Sequence, residues 1–189
     1  AGLRTNNKLS PFPEEINRQI TSRLTTFHFA PTEKARQNLL EEQVQDDKII
    51  ITGNTVIDAL FFSLEKINTN KKLKDEIVLT INKHYKLDAR KFILVTGHRR
   101  ENFGSGFVDI CEGLKEIAIK NPDIDIIYPV HLNPNIGRPV FDILGNVKNI
   151  YLIEPLKYEV FLYLMSRCFF VVTDSGGIQE EAPSLGKPV

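Results

Sequence analysis

The sequence lacks tryptophan, has one methionine and two cysteines, and carries no excess charge, with 24 lysine and arginine residues against 24 aspartate and glutamate residues. Cys111 and Cys168 lie beside apolar residues rather than in a metal-ligand pair. This favours buried free thiols over a disulfide and predicts a cytoplasmic, reducing setting. Without clustered positive charge, neither nucleic acid nor a membrane surface is an expected partner.

Long apolar runs are also absent. The longest ones, near residues 49–52 and 168–172, fall far short of the roughly 20 residues that a membrane span requires. The hydrophobic fraction of 42% over 189 residues is typical of a globular chain that needs no disulfide or metal to fold. Because the chain opens on Ala1 and stops at Val189, where an apolar strand is expected to begin, the sequence favours a fragment of a longer protein.

Apolar periodicity predicts an α/β fold in which short strands alternate with helices. A helix over residues 13–24 carries Ile16, Ile20 and Leu24 on one stripe, and Thr32 is expected to cap the next helix. Alternation at this spacing indicates βαβ crossovers and a parallel sheet covered on both faces. The predicted strands are 26–30, 49–52, 92–96, 124–130, 150–153 and 169–173.

One segment, residues 68–74, lacks both apolar periodicity and acidic residues, which is typical of a linker. The sequence therefore predicts the end of an amino-terminal domain at 1–67, a linker at 68–74 and a carboxy-terminal domain at 75–189.

The residues that follow strand 169–173 have the clearest chemical meaning, because ligands bind parallel sheets at the carboxyl ends of the strands. Ser175, Gly176 and Gly177 lead into a helix, and such a turn can present backbone N–H groups to a phosphate. A tight turn with a purely geometric role is the alternative. Glu180 or Glu181, one turn later, suits a ribose diol, and only one of the two can face a ligand.

Histidines follow two of the other predicted strands. His98 lies beside two arginines after strand 92–96, where it is suited to donate to a diphosphate and to supply a proton near neutral pH. A structural role is the alternative for His98, and a strand-end cap is the alternative for His131. His28 and His84 have no supporting neighbours and are expected to be structural.

A proline-containing loop near the start, residues 10–13, delivers Glu14 and Glu15 to the beginning of the first predicted helix. Acids at a helix start usually complement the helix dipole. The residues alone therefore assign neither glutamate a chemical role.

Several motifs together resemble one enzyme family, the bacterial non-hydrolysing UDP-N-acetylglucosamine 2-epimerases. The resemblance runs from the first residue to the last and implies two Rossmann-like domains of the B-type glycosyltransferase architecture, both incomplete in this chain, with the active site in the cleft between them. The motifs that carry it are AGLRT, SPFPEE, ITGNTVIDAL, LVTGHRREN, YPVHLNPN and TDSGGIQEEAPSLGKPV.

The resemblance implies interconversion of UDP-N-acetylglucosamine and UDP-N-acetylmannosamine, through elimination of UDP and its re-addition to a glycal intermediate. It implies no cofactor and no metal, and a homodimer when the protein is intact. In the family, further catalytic acids precede the position of Ala1 and a substrate arginine follows that of Val189, so the 189-residue chain is expected to be inactive alone.

The resemblance also implies a role for individual residues of this chain. Glu14 falls on a catalytic carboxylate and His98 on the histidine that meets the diphosphate. The remaining correspondences are Ser175, Gly176 and Gly177 with the phosphate-binding turn, Glu181 with the ribose-binding acid, Leu156 and Phe161 with the uracil site, and Arg99 and His131 with a second, regulatory site of some members.

Three other functions remain open at this point. A hydrolysing 2-epimerase would release N-acetylmannosamine and UDP, and a retaining B-type glycosyltransferase would pass the sugar to an acceptor. A nucleotide-sugar-binding module without activity is the third alternative.

Overall fold

The computed structural model describes residues 1–87, 90–97, 105–130 and 140–189. The chain divides into two compact units, which comprise Ala1–Ala59 (unit 1) and Leu60–Val189 (unit 2). His98, Arg99 and His131, to which the sequence gives candidate roles, lie outside the described residues.

Unit 1 contains a parallel pair of short strands that packs against a helix. Strand β1 (His28–Ala30) pairs with β2 (Ile49–Ile51), with His28 opposite Ile49. Thr32 caps helix α2 (Glu33–Glu41), since its hydroxyl accepts a hydrogen bond from the N–H of Ala35 at 3.2 Å. The predicted strands and the predicted cap are thus confirmed.

The first helix, α1 (Glu14–Leu24), lies where the sequence predicts it but buries different residues. Ile20 and Leu24 of the predicted apolar stripe are 53% and 80% exposed, whereas Glu15 and Ser22 are buried. The polar face of α1 therefore packs within unit 1.

Unit 2 contains a four-stranded sheet in the order β5-β4-β3-β6, with every neighbouring pair parallel. Residues 140–144 are also helical. Helix α3 (Thr55–Thr69) begins in unit 1 and ends in unit 2. The other elements of unit 2 are α4 (Lys71–Asn82), β3 (Lys91–Thr96), α5 (Ser105–Lys120), β4 (Ile124–Pro129), β5 (Ile150–Ile153), α6 (Tyr158–Arg167), β6 (Phe170–Thr173) and α7 (Ile178–Ser184).

Both faces of the sheet in unit 2 are covered, as the sequence predicts. Phe92 and Leu94 of β3 pack with residues of α3, α4 and α6, whereas Ile93 and Val95 pack with residues of α5. This is the pattern expected for a parallel strand that is buried on both sides. Cys111 and Cys168 are buried and free, and burial raises the pKa of each thiol to about 11.

Residues 68–74, which the sequence predicts as a linker, are mostly helical. Helix α3 continues to Thr69, and α4 begins at Lys71 rather than at Asp75. A single residue, Asn70, separates the two helices. Its side chain accepts a hydrogen bond from the N–H of Leu73 at 3.1 Å and caps α4. The division between the compact units lies earlier, after Ala59, and the domain ranges 1–67 and 75–189 stay a prediction.

Among the helices of the described residues, none combines the length and the apolar character that crossing a membrane requires.

Candidate functional site

The turn after β6 offers unused backbone donors at the carboxyl edge of the sheet. The N–H of Ser175 donates to the hydroxyl of Thr173 at 2.9 Å. Those of Gly176 and Gly177 donate to no acceptor within the described part of the chain. Gly177 directly precedes α7, so the free donors lie at the positive end of that helix. This arrangement is suited to an anion.

Glu181 lies next to this turn. A Cβ added at Gly177 would lie 3.9 Å from both Oε1 of Glu181 and Oγ of Ser175, which brings the carboxylate and the hydroxyl to the same glycine. Burial raises the pKa of Glu181, and the negative charge of Glu180 adds to the effect. Glu180 is exposed, whereas Glu181 is half-buried, so the two adjacent acids have different surroundings.

Leu156 and Phe161 lie after β5 and within α6, respectively. Both are partly buried and pack against the core on the α6 side of the sheet. Between them lies Tyr158, whose pKa is raised by burial and by the charge of Glu181. The start of α6 and the first turn of α7 are therefore close enough for their side chains to interact.

The end of β3 lies beside the end of β6. The carbonyl of Gly97 accepts a hydrogen bond from the Tyr128 hydroxyl at 3.0 Å, and the carbonyl of Thr96 accepts one from the N–H of Asp174 at 3.4 Å. A Cβ added at Gly97 would lie 3.9 Å from Oδ1 of Asp174. The last described residue before His98 is thus adjacent to the residue that precedes Ser175.

Glu14 and Glu15 have opposite surroundings in unit 1. Glu14 is exposed at the start of α1. Glu15 is fully buried and accepts hydrogen bonds from the N–H of Thr5 at 3.1 Å and from the amide of Gln19 at 3.0 Å. Burial acts to raise the pKa of Glu15, but the hydrogen bonds from Gln19 and Thr5 and the charge of Arg4 together hold it below the usual value.

Arg4 holds the first residues of the chain against two helices. Its guanidinium donates to both carboxylate oxygens of Glu42, with Nε to Oε1 at 2.5 Å and Nη2 to Oε2 at 2.9 Å, and also to the Ser22 hydroxyl at 2.7 Å. The Arg4 side chain is 2% exposed. A bidentate contact of this kind fixes both position and orientation.

Two cavities lined by described residues do not border the turn after β6. One, of about 310 Å³, borders Arg4, Ser22 and His28 in unit 1. Another, of about 440 Å³, lies between α3, α4 and the start of α6 in unit 2. The candidate site is therefore identified by its chemistry at the strand ends rather than by cavity size.

No group of three or more histidine, cysteine, aspartate or glutamate side chains suited to a metal ion occurs within residues 1–87, 90–97, 105–130 and 140–189.

Three contributions to the site were missed by sequence reasoning. The buried carboxylate of Glu15 bonds to Thr5, 10 residues earlier in the chain. The Tyr128 contact with Gly97 and the nearness of Tyr158 to Glu181 join residues that are farther apart. For Tyr128 a weak signal exists, because a phenol within a buried strand needs a polar partner. The other two have no local signal.

Comparison with known proteins gives a family match over residues 1–189, to the UDP-N-acetylglucosamine 2-epimerase family. The UDP-N-acetylglucosamine 2-epimerase of Campylobacter jejuni is 62% identical over 190 residues, which cover 100% of this chain and 50% of that protein. The enzyme of the same name from Escherichia coli K12 is 56% identical over 189 residues, with the same coverage. The chain thus spans about half the length of the curated relatives it matches.

Solved structures agree with this match. The crystal structure of the UDP-GlcNAc 2-epimerase from Neisseria meningitidis bound to UDP-GlcNAc has a TM-score of 0.89 and 51% identity, covering 100% of this chain and 50% of that one. The Methanocaldococcus jannaschii enzyme in complex with UDP-GlcNAc and UDP has a TM-score of 0.78 and 36% identity, also covering 100% and 50%. The predicted α/β, Rossmann-like fold class is thereby confirmed.

Proposed function

Since this chain belongs to the UDP-N-acetylglucosamine 2-epimerase family, we propose that it forms part of a longer enzyme that interconverts UDP-N-acetylglucosamine and UDP-N-acetylmannosamine without net hydrolysis. The observation that carries the proposal is the turn after β6, where unused N–H groups and the Glu181 carboxylate lie together. A diphosphate and a ribose diol, joined in one ligand, need these two kinds of group side by side.

In this proposal the UDP moiety binds along the carboxyl edge of the sheet in unit 2. Ser175, Gly176 and Gly177 bind the phosphates, and Glu181 accepts hydrogen bonds from the ribose hydroxyls. Leu156 and Phe161 hold the uracil, which agrees with their half-buried, apolar setting at the start of α6 and within it. The Neisseria and Methanocaldococcus structures contain UDP-GlcNAc, which supports a ligand of this class.

The proposed reaction is an elimination followed by an addition. A base removes the proton at carbon two while the bond between carbon one and the diphosphate oxygen breaks, which gives a glycal and UDP. A proton then returns to carbon two on the opposite face as UDP adds back to carbon one. Because the proton at carbon two is weakly acidic and the leaving group is anionic, the step needs both a positioned base and a proton or hydrogen-bond donor at the diphosphate.

Glu14 and His98 are the residues of this chain proposed for these tasks. An exposed carboxylate such as Glu14 is free to exchange a proton with substrate, in contrast to Glu15. His98 is proposed as the donor at the diphosphate because it follows Gly97 in the sequence, and Gly97 lies beside Asp174, the residue before the phosphate-binding turn. Arg99 and His131 are proposed for a regulatory UDP-N-acetylglucosamine site.

The proposal includes a homodimeric, cytoplasmic enzyme that uses neither a metal nor a cofactor. Two buried free thiols are consistent with a reducing compartment.

Product analysis with the full-length protein tests the proposal and separates it from the alternatives. UDP-N-acetylglucosamine is incubated with the enzyme, and the sugars are separated by chromatography before and after mild acid treatment. We expect a mixture of the two UDP-linked amino sugars and no free amino sugar. Release of free N-acetylmannosamine and UDP would identify a hydrolysing enzyme, and UDP release that depends on an added acceptor would identify a transferase.

A further inference from the structure

Glu15 is a buried ionisable residue that the proposed chemistry does not use. Its carboxylate is 0% exposed, although it lies in the first turn of α1, where acids are normally solvated. Burial of a carboxylate is costly unless hydrogen bonds compensate for the lost water. The hydrogen bonds that Glu15 accepts therefore indicate which structural role keeps its carboxylate buried.

Those contacts join α1 to the start of the chain. Oε2 of Glu15 accepts the N–H of Thr5 at 3.1 Å, and Oε1 accepts the amide of Gln19 at 3.0 Å. The Arg18 guanidinium lies 3.6 Å from Oε2. Gln19 and Arg18 belong to α1 itself, so among these three contacts the bond to Thr5 is the one that reaches another segment.

Thr5 also organises the loop that leads to α1. Its hydroxyl donates to the carbonyl of Ser10 at 2.6 Å, and the N–H of Ser10 donates to the carbonyl of Asn7 at 3.0 Å. At the far end of the loop the N–H of Glu15 donates to the carbonyl of Pro11 at 3.1 Å. The segment from Thr5 to Glu15 is therefore a closed loop, and the side chain of Glu15 makes the closing bond.

Glu14 lies at the point where this loop closes. It precedes Glu15 directly, and adjacent residues of a helix project about 100° apart, so a buried Glu15 leaves Glu14 directed elsewhere. Because the two residues share a peptide bond, a shift of the Glu15 backbone also displaces that of Glu14. A displacement of about 1 Å at a reacting group can reduce turnover about 10²-fold.

We propose that Glu15 is a positioning residue, whose carboxylate closes the loop onto α1 through Thr5 and thereby sets the position of the Glu14 carboxylate. The proposal rests on the proposed function, in which Glu14 touches the substrate. It differs from a role in stability alone, since it requires that loss of the closing bond reduce turnover in protein that remains folded.

Variants of the full-length protein separate these two roles. Glu15→Ala removes the acceptor for Thr5, whereas Glu15→Gln keeps an amide oxygen that can accept the same N–H. Leu39→Ala, in the buried core of the same unit, is the control that lowers stability without touching the loop. For each variant, kcat and KM for UDP-N-acetylglucosamine are measured at a temperature where circular dichroism shows the protein to be folded.

We expect Glu15→Ala to lower kcat about 10²-fold with KM nearly unchanged, and Glu15→Gln to recover most of that loss. Leu39→Ala should lower the melting temperature and leave kcat unaltered. If Glu15→Ala keeps kcat, raises KM alone or resembles Leu39→Ala, the proposal is wrong. It is equally wrong if Glu15→Gln is as impaired as Glu15→Ala, because the acceptor would then not be the relevant feature.

A further variant keeps the test decisive if Glu15→Ala does not fold. Glu15→Asp keeps the negative charge but shortens the side chain by one methylene, which withdraws the carboxylate from the N–H of Thr5. A lower kcat at constant KM supports the positioning role, and an unchanged kcat overturns it. An active wild-type enzyme with unaffected variants contradicts this inference alone, whereas a wild-type enzyme without epimerase activity contradicts the proposed function as well.

Discussion

At the scale of single residues, two pairs of adjacent glutamates have members with unequal surroundings. Glu180 is exposed and Glu181 is half-buried beside Gly177, while Glu14 is exposed and Glu15 is fully buried. The sequence places both pairs at helix starts, and this position alone does not distinguish the two members of either pair. For Glu15 the difference arises from its contact with Thr5, 10 residues earlier in the chain, which apolar periodicity does not encode.

Substitution of Glu181 and Glu180 by glutamine tests the ribose contact. Glu181→Gln replaces a charged acceptor of the ribose hydroxyls by a neutral one, and we expect the affinity for UDP to fall about tenfold. Glu180→Gln is the matched control, because it makes the same chemical change at the exposed neighbour. Isothermal titration calorimetry with UDP measures both, and equal affinities would show that Glu181 does not contact the ribose.

His98→Asn tests the proposed donor at the diphosphate. Asparagine still offers a hydrogen-bond donor but cannot supply a proton, so we expect turnover of the full-length enzyme to fall by roughly 10²–10⁴-fold. The affinity for UDP should change much less. His84→Asn, at a histidine without a proposed role, serves as the control. Unchanged turnover in His98→Asn would show that His98 does not act as the donor at the diphosphate.

At the scale of elements, the order of strands and helices was predictable but their faces and junctions were not. Apolar periodicity located β5 at Ile150–Ile153 and placed the other strands to within a few residues. It missed the start of α4 at Lys71, because the polar segment that suggested a linker contains Asn70, which caps α4. It also failed for the buried face of α1, where Ile20 and Leu24 are exposed.

Gly177 allows a test of the phosphate-binding turn without disturbing the helix that follows. Its backbone has φ −67° and ψ −45°, which any residue adopts, and an added Cβ would make only ordinary contacts at 3.9 Å. We therefore expect Gly177→Ala and Gly177→Val both to fold. The branched valine side chain occupies the space of the phosphate, so it should abolish detectable UDP binding, while alanine should weaken it less.

Calorimetry with UDP and thermal unfolding of the two Gly177 variants provide the measurement. Normal UDP affinity in a folded Gly177→Val protein would exclude this turn as the phosphate site.

At the scale of the whole molecule, we expect the isolated chain to retain UDP binding but to lack epimerase turnover. The groups proposed for UDP all lie in unit 2, whereas Glu14 lies in unit 1, and the chain spans about half the length of its curated relatives. Catalysis requires every reacting group to be positioned together. We expect the isolated 189-residue chain to bind UDP but to form no UDP-N-acetylmannosamine.

Calorimetry and product chromatography on the isolated chain check this expectation, with the full-length protein as the control. Turnover by the isolated chain at a rate near that of the full-length protein would contradict it.

Isotope exchange in deuterated water tests the central claim, reversible elimination and re-addition of UDP, most directly. Full-length protein is incubated with UDP-N-acetylglucosamine in D₂O, and carbon two of both UDP-linked sugars is examined by proton NMR and mass spectrometry. We predict that UDP-N-acetylmannosamine forms with deuterium at carbon two, and that recovered UDP-N-acetylglucosamine gains deuterium at the same carbon. Epimerisation with the original hydrogen retained at carbon two, or no epimerisation at all, would contradict the account.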